Sequence, residues 1–181
     1  MNNLYNYKKE LEKIVEEVKG LTFIVDVWKQ LIDIESRSKH FKQYGGHLQE
    51  WLSINYSTTV VVKISKITEK PKRLDDENLI KFLESIKNYE KIENIKDIDS
   101  DIKKLNEINL SLKNIRDKKI AHSTSTKVSS KITYNNILEY TKTIQEITKK
   151  YYLLLFNAHI VFSFHDLNVK WVFMEPWIKD S

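Results

Sequence analysis

Apolar positions recur at helical spacing along most of this chain. Leu4, Leu11, Ile14, Val15 and Val18 fall on one face over residues 4–19, with Lys and Glu opposite. Gly20 weakens the pattern, but Leu21, Ile24, Val27, Trp28, Leu31 and Ile32 resume it, so helix is predicted on to about Lys39, straight or kinked. The Gly45-Gly46 pair marks a loop. A further apolar segment runs from Leu48 to about Ile67. Its β-branched run, Thr58-Thr59-Val60-Val61-Val62, taken alone reads as strand. No second strand with turn signals lies nearby to pair with it, so a buried helix ended by Pro71 is the expectation. Asp75-Asp76 is expected to cap a helix from about Glu77 to Tyr89, with Leu79, Ile80, Leu83 and Ile86 on its inner face.

The clearest periodicity follows. Ile98, Ile102, Leu105, Ile108, Leu112 and Ile115 are spaced 4, 3, 3, 4 and 3, with Asp99 and Asp101 in the first turn, where acids suit the helix dipole. After Arg116 the chain turns polar and rich in hydroxyls through His122–Thr126 and Ser129-Ser130. A last long helix is predicted to begin near Thr133 or Tyr134, with Ile137, Tyr140 or Thr141, Ile144, Ile147, Tyr151, Leu154 and Leu155 inward. The apolar run Tyr151 to Phe164 reads as buried helix, too short to span a bilayer and interrupted by Asn157 and His159. Pro176 stops any helix in the aromatic tail, where Trp171, Phe173 and Trp177 are expected to pack on the body. The predicted fold is all-α: an antiparallel helical bundle, one domain over residues 1–181 with its core at about 10–165, an aromatic C-terminal tail at 166–181, and one marked interruption at 116–133.

Composition narrows the chemistry. Three glycines and two prolines in 181 residues favour long helices over a turn-rich fold. The absence of cysteine excludes disulfides, thiolate metal sites and cysteine nucleophiles, and fits a reducing cytoplasm, where the protein is expected to act. The first residues contain no unbroken apolar stretch of secretory type, and no membrane association is expected. The net charge of +5 is compatible with nucleic acid without being diagnostic of it. Nearly all of that positive charge is lysine. Arginine occurs only at Arg37, Arg73 and Arg116, so each merits inspection for the two-pronged phosphate contact that lysine makes poorly.

The run Leu112-Lys113-Asn114-Ile115-Arg116-Asp117-Lys118-Lys119-Ile120-Ala121-His122 stands where the best helix gives way to the polar loop. Arg116 offers a fork of donors for a phosphate, and His122 can give and take a proton near neutral pH. Lys113, Lys118 and Lys119 add positive potential. Five residues separate Arg116 from His122, so on a continuing helix the two would lie about a turn and a half apart, near enough to line one groove.

This run, between an apolar-striped helix and a long final helix, resembles the signature of HEPN (higher eukaryotes and prokaryotes nucleotide-binding) domains: an arginine, a polar residue, and a histidine after four to six intervening positions. Arg116, Asp117 and His122 fit it, and the Ile-Ala-His ending resembles the abortive-infection U-type, AbiU2-like branch. The helical likeness covers roughly residues 10–160. It implies a metal-independent endoribonuclease, toxin-like or acting in antiphage defence, without a cofactor. The RNA 2′-hydroxyl would attack the adjacent phosphate, with His122 as acid or base, Arg116 stabilising the phosphorane and Asp117 orienting a partner group. The resemblance also implies a homodimer in which two motifs share a cleft, and an antitoxin or defence-system partner is a further expectation. Thr124 stands where one subgroup carries a tyrosine that is adenylylated to neutralise the toxin, which argues against that subgroup.

Other readings stay open. Arg116 would also serve as a helix-C-terminal cation paired with an acid, and His122 as a loop residue, which would leave a non-catalytic module binding nucleotide, RNA or a protein partner. His40 and His47 lack a third ligand at metal spacing and read as surface residues. His159 reads as a core residue, His165-Asp166 as a loop pair, and Trp28, Trp51, Trp171 and Trp177 as packing residues. Lys63, Lys66, Lys70, Lys72 and Arg73 read as a solvated face.

Overall fold

The computed structural model describes residues 2–37, 46–69, 78–87, 97–116 and 133–163. Five helices account for most of them: α1 (Asn2–Arg37), α2 (Gly46–Thr68), α3 (Leu79–Ile86), α4 (Ile98–Ile115) and α5 (Tyr134–Phe156). Among the described residues there is no strand. The β-branched run lies within α2, as expected from its lack of a pairing partner. Val60 and Val61 enter the core, while Val62 stays 45% exposed.

Three contacts set α1 against α5 head to tail. Lys8 lies over the Phe156 ring, Gln145 donates to the Thr22 hydroxyl at 2.7 Å, and Trp28 meets Tyr134 edge-on with ring centroids 5.0 Å apart. Rising residue numbers on α1 meet falling ones on α5, so the pair is antiparallel. The same holds for α1 and α2: Glu17 takes Lys63 and Lys66, whereas Val27 and Leu31 pack with Tyr56. The short α3 packs on α1, α2 and α4 and buries Leu79, Ile80, Phe82, Leu83 and Ile86. Near its end, the Ser85 carbonyl accepts the Tyr7 hydroxyl at 3.1 Å. The stripe on α4 faces the same core through Ile98, Leu105, Ile108 and Leu112, with Ile102 half-buried. No described helix is long and apolar enough to cross a membrane.

Gly20 does not break α1, which continues for 36 residues. Leu11, Ile14, Val18 and Leu21 are fully or almost fully buried around it, and that packing outweighs a helical-glycine penalty of about 1 kcal/mol.

Several expectations need correction. The cap of α3 is Asn78, whose Oδ1 accepts the Lys81 N–H at 3.0 Å, and not the Asp75-Asp76 pair, so the helix begins at Leu79. Gly46 is the first residue of α2 and not part of a loop. The apolar run from Tyr151 is helical only to Phe156. Asn157 adopts φ 52°, a left-handed conformation that asparagine tolerates better than most residues, and its N–H closes the helix on the Leu153 carbonyl at 2.8 Å. His159 therefore lies beyond the helix and is exposed, and Leu154 is 48% exposed, not inward. Trp28 packs as expected, but Trp51 is 61% exposed. The aromatic tail with Trp171, Phe173 and Trp177, the polar stretch 117–132, Pro71 and Asp75-Asp76 lie outside the described residues.

Candidate functional site around Arg116

Arg116 directly follows α4. Its backbone keeps helical angles (φ −58°, ψ −51°), and its N–H reaches the Leu112 and Lys113 carbonyls. The cation therefore stands at the negative end of the helix dipole, where it is favoured. Its Nη1 donates to the Glu69 carboxylate, one residue past the end of α2. The pair is partly buried, with side-chain exposures of 20% for Arg116 and 34% for Glu69.

Glu69 is itself held in place. Its N–H donates to the Ser65 carbonyl at 2.7 Å, and its carbonyl accepts the Asn78 side-chain amide. Asn78, 2% exposed, also reaches the Lys66 carbonyl at 3.4 Å while capping α3. One buried asparagine thus serves two helix ends: it satisfies an orphan N–H at the start of α3 and orphan carbonyls at the end of α2. The ends of α2 and α4 and the start of α3 converge on the Arg116–Glu69 pair.

Of the other residues nominated for this site, Lys113 is exposed in the last turn of α4. Asp117, Lys118, Lys119 and His122 lie outside the described residues, as do His40 and His165. His47 is exposed. Lys63 and Lys66 do not form a bare solvated face. Both pair with Glu17, at 3.3 and 2.7 Å, and the Lys66 hydrogen bond holds the Glu17 carboxyl below its ordinary range, against the opposing effect of burial. Lys70, Lys72 and Arg73 are outside the described residues. Among the described residues no three His, Asp or Glu side chains gather to hold a metal ion.

Sequence reasoning missed Glu69 and Asn78. Asn78 carried a signal, an asparagine immediately before the apolar pair Leu79-Ile80. Glu69 carried none, since it pairs across 47 positions. A second polar centre, Asp101, sits about 22 Å along α4 from Arg116, taking 15 rises of 1.5 Å. Its buried carboxylate accepts from Lys150 at 2.7 Å and from the Tyr151 hydroxyl at 3.1 Å, fastening α4 to α5. It is a packing device remote from the motif.

A family model described as AbiU2 (HEPN_AbiU2) matches residues 5–170. No curated protein and no solved structure gives a significant match. The match spans α1 to α5, the Arg116–Glu69 pair and the stretch from Asp117 to His122. An all-α antiparallel bundle that carries the run Arg-Asp-Lys-Lys-Ile-Ala-His from Arg116 onward is thus accounted for: the chain belongs to the AbiU2 family of HEPN domains.

Proposed function

We propose that this protein is a metal-independent HEPN-type endoribonuclease, acting in the cytoplasm as a toxin-like or antiphage defence effector. The observation that carries the reading is the placing of Arg116. It heads the Arg-Asp-Lys-Lys-Ile-Ala-His run at the end of α4, partly buried, in a chain matched over residues 5–170 by the AbiU2 family. In this mechanism the RNA 2′-hydroxyl attacks the neighbouring phosphorus and the 5′-oxygen leaves. This produces a 2′,3′-cyclic phosphate and a free 5′-hydroxyl. His122 moves the proton, Arg116 stabilises the charge on the phosphorane, and Asp117 orients a partner group. Lys113, Lys118 and Lys119 draw the RNA backbone in. A homodimer would bring two motifs into one cleft and supply two histidines, one as base and one as acid. An antitoxin or defence-system partner would restrain the activity.

One observation favours a second reading, a HEPN module that binds nucleotide, RNA or a protein partner without cleaving. The Arg116 guanidinium is engaged by Glu69, as in an arginine that serves only structure. Incubating a labelled single-stranded RNA with the purified protein and with His122→Ala separates the two. Cleavage by the wild type that the variant loses supports the nuclease. RNA bound but cut by neither supports the binding module, and equal cutting by both removes His122 from the chemistry.

A further inference from the structure

We infer that Glu69 is a positioning residue for Arg116, orienting the guanidinium toward the phosphate of a bound RNA; this rests on the ribonuclease reading above. Helix stability does not account for Glu69. A carboxylate one residue beyond a helix C-terminus faces the negative end of the dipole, where an anion is disfavoured. The placement is compensated by a cation from a different helix, Arg116.

Both partners are fixed at the backbone before their side chains meet. Glu69 is tied to α2 through the Ser65 carbonyl and to α3 through the Asn78 amide. Asn78 is buried and anchored in turn by the Lys81 N–H. Arg116 is tied to α4 through its own N–H. Three helix ends therefore aim one carboxylate at one nitrogen of the guanidinium.

A guanidinium is planar, and the side-chain rotations that swing this plane, the last of them about Cδ–Nε, are the freedoms it must lose to stabilise a phosphorane. A carboxylate fixed against Nη1 removes them in advance. Partial burial preserves the contact against solvent screening better than a surface pair would. Glu69 touches no reacting atom in this scheme. It acts through Arg116, so its loss should slow the chemical step more than it weakens RNA binding.

The test uses the full-length protein and a labelled single-stranded RNA oligonucleotide, comparing wild type, Glu69→Gln, Glu69→Asp and Arg116→Ala. Thermal unfolding establishes that each variant is folded. Glu69→Gln keeps the shape and removes the charge. It should lower kcat by roughly 10–100-fold, the range expected when a reacting group is misplaced by about an ångström, with KM changed much less. Glu69→Asp should recover part of the loss. Independently of activity, nitrogen-15 NMR of Arg116 should show resolved, slowly rotating Nη groups in the wild type and an averaged signal in Glu69→Gln. A folded Glu69→Gln protein with wild-type kcat, or with unchanged Arg116 signals, overturns the proposal while leaving the nuclease intact. Wild type that cuts no better than Arg116→Ala sinks the ribonuclease reading instead, and the NMR comparison then decides alone whether Glu69 orients the guanidinium.

Discussion

The Tyr151 hydroxyl donates to the Asp101 carboxylate at 3.1 Å, joining the C-terminal half of α5 to the first turn of α4. Both residues are buried, and Lys150 shares the carboxylate at 2.7 Å. Burial, and then the neighbouring negative charge, push the Tyr151 phenol well above its ordinary range. Tyr151→Phe preserves the ring and deletes only the bond to a charged acceptor. It should lower stability by about 1.5–3 kcal/mol, read from urea unfolding at neutral pH. An unchanged midpoint and slope would show that Lys150 alone fastens the two helices.

Gly20→Ala is expected to stabilise the protein. An added Cβ would meet the Lys63 ammonium nitrogen at 3.1 Å, close, but the neighbour is the end of a flexible side chain. Gly20 lies inside α1 without a positive φ, so alanine fits its backbone. The gain in helix propensity should be about 0.5–1 kcal/mol, less whatever the Lys63–Glu17 pair loses by shifting. A fall in Tm would mean that the ammonium has nowhere to go.

The helices were legible because each buries one stripe. Ile98 to Ile115 was read with the bounds that the structure shows, since apolar residues every three or four positions leave one way to face a core. The end of α5 was less legible. Tyr151 to Phe164 is mostly apolar on both sides of Asn157, and hydrophobicity alone does not show that this asparagine adopts a left-handed angle and stops the helix. The α3 cap is less legible, because the Asp75-Asp76 pair offers capping side chains just ahead of Asn78, the residue next to the apolar run that caps the helix. Around the candidate site, Arg116 was found by its place at the end of a stripe. Glu69 was not, because a pairing across 47 positions is decided by how α2 and α4 meet and leaves no local pattern.

Alkaline pH should unfold the protein partly through Tyr134. Its hydroxyl is buried without a hydrogen-bond partner among the described residues, and burial, then the Asp26 charge, raise its pKa from 10.0 to about 12. In the unfolded chain the phenol ionises near 10, so between about 10 and 12 the unfolded state sheds a proton that the folded state keeps. Stability is therefore full below 10 and is lost as pH rises toward 12. Tyr134→Phe should flatten this fall and cost little at pH 7, since no hydrogen bond is removed. Denaturant midpoints measured from pH 8 to 11.5 check it. An equally steep alkaline limb in the variant would assign the effect to Tyr151 or other groups.

The proposed homodimer predicts a mass near twice that of one chain. Leu110 on α4 is 65% exposed, and Leu153 and Leu154 on α5 are 37% and 48% exposed, on the two helices that flank the motif. Apolar side chains there suit a self-complementary interface. Light scattering at micromolar concentration should report the dimer, and Leu110→Glu should weaken it. A strict monomer that still cleaves RNA would remove the shared cleft from the mechanism.

The strongest test falls on the motif. Arg116→Ala and His122→Ala should each leave the helical fold intact and cut RNA cleavage severely. Removing a general acid–base group typically costs about 10²–10⁴-fold, and removing a charge-stabilising donor about 10²–10³-fold. Because both groups act on one transition state, the double variant should lose less than the product of the single losses. Arg116→Lys should rescue poorly. An ammonium keeps the charge but presents neither the planar fork nor the nitrogen that Glu69 holds. His40→Ala and His47→Ala should change little, and cleavage should survive a chelator. Where expression of the wild type is toxic, the Arg116 and His122 alanine variants should relieve it. Cleavage abolished by EDTA and restored by magnesium would demand a different mechanism. Equal cleavage by wild type and His122→Ala would take the histidine out of the chemistry, and RNA bound but cut by neither would leave Arg116 as an anion-binding group in a non-catalytic HEPN module.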